Sequence, residues 1–281
     1  MIPSAYKKRV RSWLKQARLW QDRALFSFDA ADLENALVAS GIRRGDTLLV
    51  HSSYDSFGGF RGKPTDVIAA LERLVGPEGM VMMPTMPFTG TALDYVQNGG
   101  RFDVKRTPSR MGLLTELFRR SDGVVRSRHP THPVAIWGHE APSIAEAHHC
   151  ARTPCGQGSP FEQLVRRNGK IVLLGTGIGV LTFFHYVEEQ IEESLPFSPF
   201  TTEEFTIDFV DAEGMLVKCR TRLFDPEVSR RRRLERIVPE LERSGAFETR
   251  RVGRLRLIVL QAREVLEATR RLASKGIYLY E

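Results

Sequence analysis

The sequence predicts an α/β domain with a mixed central sheet flanked by helices and a β-rich insert in the C-terminal third, and three observations point there. Short apolar runs such as DTLLVHSS, GMVMMPTMP and KIVLLG alternate with amphipathic stretches such as KPTDVIAALERLVG, the pattern of strands wrapped by helices. At 281 residues and 42% hydrophobic content, the chain can bury a core as one large domain. No internal repeat or low-complexity linker divides it. Residues 1–281 therefore read as a single domain, with a basic helix over 1–28 and a smaller β-rich lobe within 201–260.

The elements follow in order. FDAADLENALVASG, Phe28 to Gly41, reads as a helix with Leu33 and Leu37 on one face and a stopping glycine, and Asp46 to Ser53 as a buried strand. KPTDVIAALERLVG has Pro64 where a first-turn proline belongs and an acid early in the helix, and GMVMMPTMP is a strand ended by prolines. Phe88 to Pro108 reads as irregular. A helix at MGLLTELFRR, a strand at HPVAIWG, a helix at SPFEQLVRRNG and a strand at KIVLLG come next, with Ser159 and Glu162 at capping-box spacing. FTIDFV and MLVKCR around DAEG read as a hairpin. Helix is expected from about Pro226 to Arg243, then two short strands around Gly253 and a helix at QAREVLEATRRLAS.

Composition narrows the function. Lys and Arg number 41 against 34 Asp and Glu, a net charge of +7, with one dense run, SRRRRLERI, at Ser229–Ile237. Leucine and isoleucine recur at helical spacing there, so the run reads as the solvated face of a helix rather than a nucleic-acid surface. A diffuse positive potential still favours phosphate-bearing ligands such as coenzyme A or nucleotide-sugars. The three cysteines, Cys150, Cys155 and Cys219, are odd in number and lack CxxC spacing, which speaks against a disulfide framework. No run of about eighteen apolar residues is present and the basic N-terminus has no apolar signal core, so a cytoplasmic protein without a membrane span is expected.

Two histidine segments hold the candidate chemistry. RSRHPTHPVAIWG, Arg126 to Gly138, contains His129 and His132, and LTFFHYVEEQ, Leu181 to Gln190, contains His185 three residues before Glu188. On a helix that spacing puts His185 and Glu188 on one face, where the carboxylate can fix the tautomer of a general base. An ordinary solvated pair is the alternative, since Glu189, Glu192 and Glu193 extend the acidic face. Neither HExxH nor a twin motif accompanies them, so no metal is expected. GTGIG, Gly175 to Gly179, is either a phosphate nest or a tight turn, and the hydroxyls of HSSYDSFGGF, His51 to Phe60, either bind a ligand beyond a strand end or serve the turn. Cys155 reads as a buried apolar residue before a nucleophile.

Taken in order, HSSYDSFGG, MPTMP, RTPSRMGLLTELFRR, VVRSRHPTHPVAIWG, GQGSPFEQL, KIVLLGTG and TFFHYVEE resemble the aminoglycoside 3-N-acetyltransferase family, over roughly Asp46 to Glu189. The resemblance implies an α/β fold distinct from the commoner acetyltransferase superfamily and metal-free transfer of acetyl from acetyl-CoA to an amine on a sugar. It makes His185 the catalytic histidine, Glu188 its partner in a Thr-x-x-His-x-x-Glu pattern, Thr182 the hydroxyl that opens the pattern, and His129 the histidine of the Arg-Ser-x-His-Pro segment. Ser52, Ser53, Ser109, Arg110, Met111 and Gly112 match cofactor-binding segments, and Arg119 or Arg126 is expected to meet a CoA phosphate.

What the resemblance implies for mechanism is direct transfer in a ternary complex, with a Cys155 acyl-enzyme as the lesser route. For the acceptor, the stretch Pro87 to Pro108 carries Asp94 and Asp103 against Arg101, Lys105 and Arg106. That balance suits a neutral or anionic amino sugar, and TPCGQGSP and HPTHPV look closer to relatives in surface-polysaccharide pathways. A biosynthetic N-acetyltransferase is the first expectation and an aminoglycoside resistance enzyme the second. A basic phosphate- or nucleic-acid-binding protein without catalysis is the rival of another class, and a homodimer is left open.

Overall fold

The computed structural model describes residue 13 and residues 24–281, so most of the expected basic helix over 1–28 lies outside the described residues. Helix α1 (Ala30–Ala39) is opened by Asp29, whose Oδ1 accepts from Ala31 N and Asp32 N while Asp32 returns a bond to Asp29 N. This reciprocal cap satisfies donors that the first helical turn leaves free. Strand β1 (Thr47–Ser52), helix α2 (Pro64–Val75) and strand β2 (Met80–Pro84) form the expected strand-helix-strand unit. Pro64 sits in the first turn of α2 and Gly76, at φ 67°, closes it.

The stretch expected to be irregular holds helix α3 (Ala92–Gln97), started by Thr91 Oγ1 accepting from Asp94 N, and the two-residue strand β3 (Phe102–Asp103). Helix α4 (Leu113–Arg119), strands β4 (Val124–Arg126) and β5 (Val134–Trp137), helices α5 (Ala141–Ala147) and α6 (Pro160–Arg166), strand β6 (Lys170–Leu174) and helix α7 (Phe184–Gln190) follow. Ser159 does not form the expected capping box: its hydroxyl donates to Cys155 O at 2.7 Å, and Glu162 Oε2 accepts from Gly158 N at 2.9 Å instead.

The hairpin is β7 (Phe200–Val210) with β8 (Leu216–Phe224). The expected single helix over Pro226–Arg243 is broken into α8 (Pro226–Arg230), a short 3-10 turn at Leu234–Ile237 and α9 (Val238–Arg243). The break falls where Arg232 pairs with Tyr280 in an isolated bridge and Arg233 leaves the helical region. Pro239 then suits only a first turn, because a helix interior would need its missing N–H. Strands β9 (Phe247–Val252) and β10 (Leu255–Gln261) and helix α10 (Ala262–Ala273) complete the chain.

The main sheet has seven strands in the order β4-β5-β2-β1-β6-β10-β9. Its centre is parallel, β1 lying between β2 and β6, and the outer pairs are antiparallel. Alternation along the strands sends Leu49, Met82, Ile171 and Leu173 to one face and Leu48, Val50, Val81 and Val172 to the other, and both faces are buried. The β-rich stretch is divided: β7 and β8 join β3 in a separate three-stranded sheet, while β9 and β10 extend the main one. Among the described residues no helix is long and apolar enough to cross a membrane.

Three parallel strands therefore end at the same edge of the sheet. Ligands in open α/β sheets bind beyond the carboxyl ends of the strands, and here that edge carries His51, Ser52, Pro84 and Gly175.

Candidate active site

A chamber of about 540 Å³ opens at this edge, lined by His51, Ser52 and Ser53 at the end of β1, Pro84 and Met86 at the end of β2, Thr176 and Gly179 to Thr182 after β6, and His185. Arg232 and Leu234 close its other side. Helix α7 delivers His185 in its first turn, begun where His185 N donates to Thr182 O at 3.1 Å. One turn on, Glu188 is fully buried, and its Oε2 lies 3.0 Å from His185 Nδ1. The solvated-pair alternative is thereby excluded, because a carboxylate out of water needs all its partners inside the protein.

Glu188 has them. Its other oxygen, Oε1, accepts from Arg232 Nε at 2.7 Å and from the Tyr280 hydroxyl. Burial alone would raise the Glu188 carboxyl, but the Arg232 cation and the His185 hydrogen bond outweigh it and hold the carboxyl below its ordinary range. Burial, and then the Arg232 charge, lower His185 despite the bond from Glu188. With Nδ1–H committed to Glu188, the outer nitrogen of a neutral His185 is a proton acceptor. Beneath the ring lies Phe224 of β8, centroids 4.0 Å apart, and His132 meets it edge-on at 5.5 Å.

Next to the chamber, sharing Ser52, Ser53 and Met111 with it, is a second hollow of about 360 Å³ lined also by Tyr54, Asp55, Arg110, Gly112 and Leu113. The two hollows adjoin each other between the end of β1 and the start of α4. The Ser53 side chain does not cap the turn that follows it, which argues against a turn-only role. Gly112 has φ 113°, a conformation that side chains rarely adopt, and brings the chain past the Ser52 carbonyl. Arg110 is exposed and its guanidinium forms no ion pair among the described residues.

Not every expected site residue joins them. Arg119 is buried and grips Glu116 with Nε and a terminal nitrogen at 2.9 and 2.6 Å, while a further nitrogen donates to Lys105 O at 2.7 Å. Arg126 is buried over the Phe102 ring and donates to Thr85 Oγ1, Thr85 O, Val104 O and Thr107 O. Its donors are consumed by the fold, and burial pulls its pKa down to about 9. Against the expectation that one of these two arginines meets a phosphate, both spend their donors within the fold: Arg119 ties Lys105 O to α4, and Arg126 ties Val104 O and Thr107 O to β4. Ser109 is also turned to local duty, its Oγ accepting from Met111 N at 3.1 Å and its N donating to Glu116.

His129 is fully buried and outside the chamber lining. Its Nδ1 faces the N–H groups of Thr131 and His132, each at 3.3 Å, and its ring stacks on His148 at 4.9 Å. Cys155 is likewise fully buried, and burial and then the nearby Glu189 and Glu188 push its thiol well above the ordinary range, which disfavours the thiolate that a nucleophile needs.

The family model described as aminoglycoside 3-N-acetyltransferase matches residues 49–274. The chain belongs to this family. It is 34% identical to aminoglycoside N(3)-acetyltransferase III of Salmonella over 169 residues, 56% of this chain and 58% of that protein. It is 32% identical to aminoglycoside N(3)-acetyltransferase VII of Streptomyces paromomycinus over 170 residues, again 56% and 58%. The chain thus spans somewhat over half the length of these curated relatives. The crystal structure of aminoglycoside acetyltransferase AAC(3)-Xa superposes with a TM-score of 0.77 at 25% identity, covering 94% of this chain and 99% of that one. AAC-IIIb, in a binary complex with CoASH, gives 0.73 at 22% identity, covering 90% and 99%, and speaks for the fold.

Within this member of the acetyltransferase family, sequence reasoning missed Arg232 and Tyr280. Arg232 stands in the run SRRRRLERI, expected to be a solvated face. Its immediate neighbours Arg231 and Arg233 pair with Glu281, and Arg232 turns inward to Glu188. The available signal was the pattern break itself: Leu234 and Pro239 fit no continuous helix through Arg232.

Proposed function

We propose that the chain is an acetyl-CoA-dependent N-acetyltransferase in which His185 is the general base. The observation that carries this reading is the buried His185–Glu188 pair at the wall of a chamber that adjoins the Ser52–Gly112 hollow. The thioester of acetyl-CoA would enter through that hollow, with Ser52, Ser53, Met111 and Gly112 beside it and Arg110 offering an unpaired cation to a phosphate. The acceptor amine attacks the thioester carbon. His185 takes the amine proton on its outer nitrogen while Glu188 holds Nδ1–H, and the imidazolium that forms returns the proton to the departing CoA thiolate. Thr182 lines the same chamber just before α7, and its backbone carbonyl accepts from His185 N.

For the acceptor, the names of the relatives favour an aminoglycoside amine. A neutral or anionic amino sugar has one observation in its favour: among the described residues that line the chamber there is no aspartate or glutamate, and a polycation binds poorly without carboxylates. Isothermal titration with acetyl-CoA, on the unmodified protein and His185→Ala in parallel, tests the donor. Micromolar binding by both with turnover only in the unmodified protein supports the reading; no binding by either sinks it. Mass spectrometry of aminoglycosides and UDP-amino sugars incubated with acetyl-CoA then decides between acceptors.

A further inference from the structure

We propose that Arg232 and Tyr280 are positioning residues that draw the Glu188 charge away from His185, so that the imidazole stays neutral with its outer nitrogen open. The proposal rests on reading His185 as the base and extends it from a pair to a four-residue assembly. The two carboxylate oxygens are divided: Oε2 serves His185 alone, while Oε1 takes both Arg232 Nε at 2.7 Å and the Tyr280 hydroxyl. Glu188 is fully buried, and the Arg232 side chain is 15% exposed.

A buried carboxylate facing only an imidazole would pull a proton onto it, because the ion pair is worth most where water is scarce. Arg232 removes that incentive. With Arg232 charged, the assembly is neutral overall only when His185 is unprotonated.

The other groups around the ring do not undo this. On α7, Glu189 turns away to Thr153 and towards Gly156. From the loop before β5, His132 presents its ring edge-on, and from β8 the neighbour is the uncharged Phe224. His51, at the end of β1, lines the same wall and is held neutral by burial. The Cys155 thiol, beyond Glu188, is kept protonated. Arg232 also has a terminal nitrogen, Nη2, that is buried without a partner among the described residues. A guanidinium retained merely for stability would be expected to use its donors fully.

The test is a histidine-ring NMR titration of the full chain without substrate, the His185 signal being assigned by its loss in His185→Gln. Arg232→Gln should raise the His185 midpoint by about one pH unit or more, a tenfold gain in proton affinity. Arg232→Lys, which keeps the cation, should stay close to the unmodified protein. An unmoved or lowered midpoint in folded Arg232→Gln overturns the proposal. Should that variant fail to fold, Tyr280→Phe carries the test, with an upward shift of about half a unit expected from the lost hydrogen bond and no shift overturning it. Acetyl transfer is assayed separately: an unmodified protein that acetylates no amine defeats the proposed function, whereas the titration reads the charge arrangement whatever the activity.

Discussion

Lowering the pH from 7.5 to 5.0 should destabilise this protein through its buried histidines. His129 and His148 stack on each other in the interior. His148 has its Nε2 bonded to Pro154 O and its Nδ1 to Ser127 Oγ, and burial lowers its pKa to about 4. His129 is lowered further by burial and by His148, and its Nδ1 faces two backbone N–H groups that leave no room for a proton. In the unfolded chain both titrate near the ordinary value of about 6.5. A group whose folded pKa is depressed below its unfolded one leaves the unfolded state with more protons as pH falls, so stability is lost on acidification through the window below about 6.5. At pH 5 each ring that stays neutral costs roughly 2 kcal/mol, and the pair about 4 kcal/mol, from a total on the order of 5–15 kcal/mol. His51, His132 and His185 act in the same direction. Glu72 and Glu189, whose carboxyls are raised by burial, oppose them. Urea unfolding at a series of pH values measures this directly. His148→Gln, which retains a donor and an acceptor, should reduce the slope by about one proton, roughly 1.4 kcal/mol per pH unit. A loss below about 1 kcal/mol between pH 7.5 and 5.0 would refute the reasoning, since even one locked ring exceeds it.

Three other outcomes are expected. Arg126→Met should cost roughly 3 kcal/mol in urea unfolding, because it strands carbonyls of Thr85 and Thr107 that the guanidinium now satisfies. Arg110→Ala should weaken acetyl-CoA binding on the order of tenfold at low salt, with a smaller difference at high salt, whereas the unmodified melting temperature is kept. Cys155→Ala should retain turnover, and in the native protein mass spectrometry after thiol labelling should find Cys155 unmodified until denaturant is added.

The order of elements was legible because strand and helix periods differ and the apolar runs are short and sharply bounded. The short apolar runs mark β1, β2 and β6 as buried strands of a mixed sheet, but their order and parallel pairing are set by contacts distant in the chain. Helix α3 was hidden because only six residues separate Thr91 from Asn98 and just Ala92 is buried, so no apolar stripe marks it. The His185–Glu188 pair could be read from spacing on one helix. The contacts of Arg232 and Tyr280 with Glu188 could not, since they join positions 44 and 92 residues away: the local pattern marks a helix break near Arg232 but not what Arg232 meets. Arg119 and Arg126 show the converse problem: a cation beside a ligand-binding segment has the same sequence signature whether it meets a phosphate or a ring of carbonyls.

The gathering of three distant chain segments on one carboxylate has a consequence for how the site comes and goes. Contacts of long sequence separation are slow to form. A chain with its central sheet in place but the Tyr280 segment undocked would already hold His185 beside Glu188, yet in a different charge state. On the proposed reading the charge state of His185 is therefore an interlock that closes only when remote parts of the polypeptide have arrived, and fraying near Tyr280 would shift that charge state while leaving the rest of the molecule folded.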